Sequence, residues 1–253
     1  MTNLRFGPQL FDASLVVFDK DGTLIDFDAM WGRLARVWVE HLAGEIDAPS
    51  LDLELYRSLG YEAAAGRTDP LGPLVVATMA QLQTITAGTL YRAGLPWHEA
   101  EDRARRAFQI GAELPLESLI QPAGNVAGLL ASLQQAGVGV AVVTTDDRRE
   151  TVETLRIMEI AHLVDHLVCG DDGLPLKPAP DMLLAVYQQS GAEPARSAVV
   201  GDSTGDLLMA ERAGAGLKVA VLTGAGDRAT LSNDADIVLD SIDDIAVDDV
   251  PDI

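Results

Sequence analysis

Apolar residues are distributed along this chain in two textures. Short unbroken runs rich in β-branched residues recur: Leu15–Phe18 (LVVF), VGVAVVTT from Val138, HLVCG from His166, SAVVGD from Ser197, KVAVLTG from Lys218 and ADIVLD from Ala235. They are too short for helices and do not alternate with polar residues, so they predict strands covered on both faces. Between them apolar residues recur at three- and four-residue intervals. PAGNVAGLLASLQQAG places Val126, Leu129, Leu130 and Leu133 on one helical face and ends at Gly137. Further helices are predicted from about Arg149 to Ile157, through KPAPDMLLAVYQQSG to Gly191, and through GDLLMAERAGA.

Strands and helices that alternate over short connections predict a parallel sheet with right-handed crossovers. One block breaks the alternation. From Asp26 to about Ile120, stretches such as AMWGRLARVWVEHLAG and HEAEDRARRAFQIGAEL have helical spacing only, with Met30, Leu34, Val37 and Leu42 on one face, and no strand is predicted there. The expected fold class is therefore α/β. A Rossmann-like parallel sheet with helices on both faces would form the core from residues 1–26 and 120–253. Residues 27–119 would form an all-α domain inserted after the first strand. The acid-rich tail DSIDDIAVDDVPDI is expected to be partly frayed.

Composition narrows the partners. Across 253 residues the formal charge is -21, which disfavours nucleic acid and anionic membranes as partners. It also requires any site for an anionic substrate to supply its own positive charge or a bound cation. The single cysteine, Cys169, excludes an internal disulfide and fits a reducing compartment. No long apolar stretch precedes the first strand, so a cytoplasmic chain with neither signal peptide nor membrane span is expected. Oligomeric state is not legible.

Candidate chemistry lies at the strand ends. In an open parallel sheet, ligands bind outside the carboxyl ends of the strands. The first strand ends in DKDGT, which taken alone is either a solvated turn or a metal-bound carboxylate pair with one acid attacking a substrate. Two other predicted strands end in Thr144 and in Asp202, and Asp206 follows four residues later; Lys177 precedes a helix in KPAP. Acid, hydroxyl and acid delivered to one sheet edge favour a site over a turn.

These segments, DKDGT (19–23), VVTT (142–145), Lys177 in KPAP and GDSTGD (201–206), resemble in order the four motifs of the haloacid dehalogenase-like hydrolases. The resemblance covers about residues 12–26 and 121–240. It implies that Asp19 is the nucleophile and forms an aspartyl-phosphate, and that Asp21 is the general acid–base. It further implies Mg²⁺ held by Asp19, Asp202 and the backbone carbonyl of Asp21, with Asp206 close by. Thr144, Thr145 and Lys177 would contact the substrate, Thr144 and Lys177 through its phosphoryl oxygens, and Lys177 would also neutralise the acid cluster. Thr145 and Asp146 depart from the threonine–asparagine pair frequent at that point, which bears on substrate contacts rather than on the chemistry. Lys20 is expected to point away from the site, as alternate strand side chains do, and to have no role.

Within the family, Asp21 speaks against dehalogenases, which need no acid two positions after the nucleophile. The chain has three lysines, and none lies between residues 25 and 176. This speaks against phosphonatases and weakens phosphosugar mutases, which draw on a lysine (or, in mutases, a histidine) of the inserted domain. A phosphatase acting on a small phosphorylated metabolite, similar to phosphoglycolate phosphatases, is the expected function. A mutase of the same family, or a non-catalytic module that keeps the fold, is the alternative. Trp31, Arg33, Arg36 and Arg67 in the inserted block are candidate specificity residues, although surface arginines and a buried tryptophan are the better account of them.

Overall fold

The computed structural model describes residues 2–248 and divides into two compact units, Met1–Asp26 with Ile120–Ile253, and Phe27–Leu119. In the first unit the chain enters through β1 (Asn3–Phe6) and β2 (Gln9–Asp12) and then forms β3 (Leu15–Phe18). The second unit comprises α1 (Phe27–Glu45), α2 (Leu51–Leu59), β4 (Tyr61–Glu62), β5 (Arg67–Thr68), α3 (Pro73–Val76), α4 (Met79–Arg92) and α5 (Trp97–Ala112). The first unit resumes with α6 (Val126–Gln135), β6 (Gly139–Val143), α7 (Arg148–Ile157), β7 (His166–Val168) and α8 (Asp181–Ser190). It closes with β8 (Ser197–Gly201), α9 (Thr204–Ala213), β9 (Leu217–Val221), α10 (Arg228–Leu231), β10 (Ile237–Leu239) and β11 (Ile245–Val247).

The main sheet has six parallel strands in the order β10-β9-β8-β3-β6-β7. The unbroken apolar runs are explained by cover on both faces. Val16, Phe18, Val140, Val142 and Val200 face α6 and Leu155 of α7, whereas Leu15, Val17, Ala141, Val143 and Val199 face α8 and α9. Phe18 is level with Val142 on one side and with Val200 on the other. The segments after β3, β6 and β8 therefore leave the sheet at nearly the same level. All three leave at the carboxyl edge.

Three departures from the sequence reading have physical causes. The N-terminal segment forms the antiparallel hairpin β1–β2, and β1 also pairs with β11 in the order β11-β1-β2. These strands are short and meet across most of the chain's length, so no local pattern announces them. Part of the expected frayed tail is thus a paired strand, and residues 249–253 lie outside the described residues. In the helical block, β4 and β5 make a two-residue antiparallel ladder, too short to show alternation. Finally, the buried face of α1 includes Met30, Leu34, Trp38 and Leu42, and Val37 is only half buried. Trp38 stacks on Phe108 of α5, with ring centroids 4.0 Å apart.

Leu4 and Phe6 of β1 are completely buried in the same cluster as Val126, Leu129 and Leu133 of α6. Phe6→Ala should therefore destabilise the α/β unit by about 3–5 kcal/mol, the usual loss for a phenylalanine removed from a packed core. Urea unfolding followed by circular dichroism measures this, and an unchanged midpoint would show the N-terminal hairpin to be dispensable.

Candidate active site

Asp19 directly follows β3, and its amide donates to the carbonyl of Val200 at 2.9 Å, a continuation of the β3–β8 ladder. The chain then turns sharply. The Lys20 carbonyl accepts from Leu24 N (2.9 Å) and Ile25 N (3.0 Å), and Gly22 N donates to the Ile25 carbonyl at 2.7 Å. Gly22 has a φ of +81°, and a Cβ there would run into the Asp202 carboxylate and the Gly224 backbone. Only glycine permits both the left-handed turn and this approach of main chain to carboxylate.

Asp202 follows β8, is 5% exposed, and accepts from Ala225 N at 2.9 Å through Oδ2. Four residues on, Asp206 is the third residue of α9 and completes a capping box with Ser203. Ser203 Oγ donates to Asp206 Oδ2 at 2.6 Å, while Asp206 N donates to Ser203 Oγ at 3.3 Å. The other oxygen, Oδ1, receives Lys177 Nζ at 2.6 Å. The same ammonium donates to Asp19 Oδ1 at 2.5 Å. Lys177 is thus brought from the segment before α8 to bridge the ends of β3 and the start of α9.

Asp19, Asp202 and Asp206 each present an oxygen within 4.8 Å of the others. Such a set of hard carboxylate oxygens is the donor chemistry of a divalent cation such as Mg²⁺, so the residues fit the ion. Burial is the largest influence on Asp19 and raises its carboxyl to about 7, with Lys177 opposing the rise and Asp206 and Asp21 adding to it. Burial also pushes Asp202 well up, helped by the charges of Asp19 and Asp206. Lys177 is buried as well, yet its carboxylate partners hold it above its ordinary value.

Thr144 follows β6 and is 2% exposed. Its amide donates to Val168 O at 3.0 Å, and its hydroxyl accepts from Asp146 N at 3.2 Å. Thr145 next to it is exposed. The expected strand-end residues Asp19, Thr144 and Asp202 thus leave one edge of the sheet.

Lys20 departs from its expected place. It is completely buried, and Nζ lies 2.7 Å from Asp21 Oδ1 and 2.6 Å from Asp146 Oδ2. The strand alternation behind the expectation ends at Phe18, so it does not govern a residue inside the turn. Asp21 engages Lys20, whereas the cation-type triad consists of the other three acids. Burial raises the Asp21 carboxyl to about 6, with Lys20 opposing and Asp146 reinforcing the rise. For Asp146, burial alone would raise the carboxyl, but Lys20 outweighs it and the group is held below its ordinary value. Sequence reading noted Asp146 only as a departure from a motif; its opposite charge to Lys20 was the available signal.

The arginines singled out in the helical unit have partners there. Arg33 Nη1 donates to Ser118 O at 2.5 Å, Arg36 lies over the Tyr61 ring at 5.7 Å, and the exposed Arg67 pairs with Glu62 at 3.7 Å. The Trp31 indole nitrogen is buried and has no hydrogen-bond partner.

The raised carboxyls make cation binding dependent on pH. A carboxyl whose folded-state pKa lies above its unfolded value binds more protons when folded, so its contribution to stability falls as pH rises from about 4 towards 7. A divalent cation displaces those protons. The rise in melting temperature on adding Mg²⁺ should therefore be small near pH 5 and grow towards pH 8. Thermal unfolding with Mg²⁺ or EDTA across that range measures it, and a rise that shrinks with increasing pH would contradict the assignment.

The model of the haloacid dehalogenase-like hydrolases matches residues 13–214. A phosphoglycolate phosphatase of Agrobacterium fabrum is 28% identical over 227 residues, covering 89% of this chain and 88% of that protein. One from Pseudomonas putida is 31% identical over 209 residues, covering 81% and 70%. A haloacid dehalogenase family hydrolase from Deinococcus radiodurans, solved with bound phosphate and sodium, superposes with a TM-score of 0.65 at 22% identity, covering 91% of this chain and 92% of that one. The structural likeness establishes the fold. With the family model matched through all four motif segments, this chain belongs to the haloacid dehalogenase-like hydrolases, where it groups with phosphatases.

Proposed function

We propose that the protein hydrolyses a small phosphomonoester through a phosphoaspartyl intermediate on Asp19. The convergence of Asp19, Asp202, Asp206 and the buried Lys177 ammonium at one sheet edge carries this reading. A phosphoryl group could not approach clustered carboxylates unaided. Asp19, Asp202 and Asp206, with the backbone carbonyl of Asp21, would hold Mg²⁺, which when bound neutralises charge on the phosphoryl oxygens.

The chain's own groups account for both half-reactions. A carboxylate oxygen of Asp19 attacks phosphorus, and the ester P–O bond breaks. The departing alkoxide takes a proton from Asp21, whose carboxyl burial raises to about 6, so that its protonated form is far more accessible than that of a free aspartate. Asp21, now ionised, takes a proton from water as the water oxygen attacks the phosphoaspartate; the P–O bond to Asp19 breaks and inorganic phosphate leaves. Lys177 keeps Asp19 oriented. An ammonium has three donors, and two are used by Asp19 and Asp206, so the third is available to a phosphoryl oxygen. The Thr144 hydroxyl would bind a second oxygen, and Thr145, exposed beside it, would contact the substrate. To residues 27–119 we assign the part of a substrate-selecting cap, because they are inserted directly after the DKDGTLID turn. Phosphoglycolate, named by the relatives, is the first substrate to test.

Hydrolysis of p-nitrophenyl phosphate should require Mg²⁺, and Asp19→Asn should lower kcat by roughly a thousandfold or more, as removal of a nucleophile does. Metal-independent turnover or an active Asn variant would refute the mechanism. Incubation with sugar phosphates separates hydrolysis from isomerisation: free phosphate is expected, and an isomerised sugar phosphate would identify a mutase.

A further inference from the structure

Lys20 is the buried charge that the reaction sequence above does not use. Its side chain is 1% exposed, and its ammonium lies between Asp21 on its own turn and Asp146 on the segment after β6. A buried ion pair commonly contributes no more stability than apolar residues of the same volume. Stability therefore does not account for the lysine. Its arrangement does.

Each partner in the chain Asp146–Lys20–Asp21 is anchored by main chain. Asp146 N donates to Thr144 Oγ1 at 3.2 Å, and Asp146 O accepts from Gly170 N at 2.8 Å, which ties this segment to the end of β7. A Cβ at Gly170 would strike the Thr145 carbonyl, so the two segments are in close contact. The Lys20 carbonyl is held by three amides of its own turn, those of Thr23, Leu24 and Ile25. Nζ then meets a single oxygen of Asp21, Oδ1, which restricts rotation of that carboxyl about its last bond. Proton transfer to a leaving oxygen requires such restriction, because a displacement of about 1 Å can cost a hundredfold in rate.

We propose that Lys20 and Asp146 are a positioning pair that orients the Asp21 carboxyl for proton transfer to the leaving-group oxygen. This rests on the reading of Asp21 as the general acid. Both members act only through the Asp21 carboxyl, which Lys20 contacts at Oδ1. Asp146 fixes the ammonium and also hydrogen-bonds the Asp21 carboxyl, and the ammonium fixes Asp21.

The test compares kcat/KM, which reports the steps through ester cleavage, for aryl and alkyl phosphates in the Mg²⁺-loaded enzyme and its Lys20→Met, Asp146→Asn and Asp21→Asn variants. A p-nitrophenolate leaves without needing a proton, whereas an alkoxide needs one. Lys20→Met and Asp146→Asn should each lower kcat/KM for an alkyl phosphate by about tenfold or more, and for p-nitrophenyl phosphate by less than about threefold. Asp21→Asn should show the same selectivity more strongly. Uniform losses, or none, in the Lys20 and Asp146 variants beside a selective Asp21→Asn would overturn the positioning pair and leave the general acid standing. A non-selective Asp21→Asn would overturn both. Should Lys20→Met fail to fold by circular dichroism, Asp146→Asn decides alone, since its partly exposed side chain leaves no core cavity.

Discussion

The site is governed by the burial of more negative than positive charge at one sheet edge. Asp19, Asp202 and Asp206 meet there with one ammonium, that of Lys177, in direct contact with two of them. Removal of a carboxylate from water costs several kcal/mol even after relaxation, and like charges in contact add to that cost. The protein relieves it in three ways. Lys177 is spent on Asp19 and Asp206, the amide of Ala225 is turned onto Asp202, and the carboxyls of Asp19 and Asp202 are pushed towards their neutral forms. What remains uncompensated is negative charge, the setting that suits a cation.

The second ammonium acts on a different group. Lys20 contacts Asp21 and Asp146, while Lys177 contacts Asp19 and Asp206. Two acids only two residues apart are thereby placed in separate electrostatic surroundings. Asp19 shares its charge with the cation-type triad, and Asp21 sits in a carboxyl–ammonium–carboxyl chain. Divergent environments of this kind let neighbouring carboxyls take different chemical parts. Glycine makes the arrangement sterically possible, since at Gly22 any side chain would occupy the space of the Asp202 carboxylate.

The scaffold contributes level and rigidity. Because β3 lies between β6 and β8 with Phe18 level with Val142 and Val200, the three segments carrying Asp19, Thr144 and Asp202 emerge together. Helices on both faces immobilise the strands that bear them. Asp206 has a double function: one oxygen caps α9 through Ser203 and the other receives Lys177, so the geometry of the helix start and of the site are linked.

Much of this was legible in the sequence because it is local. Unbroken apolar runs marked the strands of the main sheet, three- and four-residue spacing marked the helices, and the acids at the ends of β3 and β8 followed from reading where those runs stop. Lys177 stood out because the chain has only three lysines. What escaped depends on contacts between distant segments. β1 pairs with β11, some 240 residues away, and no periodicity encodes that. Val37 and Trp38 are adjacent, and only packing against α5 determined which one is buried. Lys20 was misread for the same reason. Its direction is set by a turn that closes after the strand and by a carboxylate 126 positions later, at Asp146. The sequence by itself determined which residue types stand at the strand ends; tertiary structure decided which charges meet, because a buried ion pair is specified by three-dimensional proximity and not by spacing along the chain.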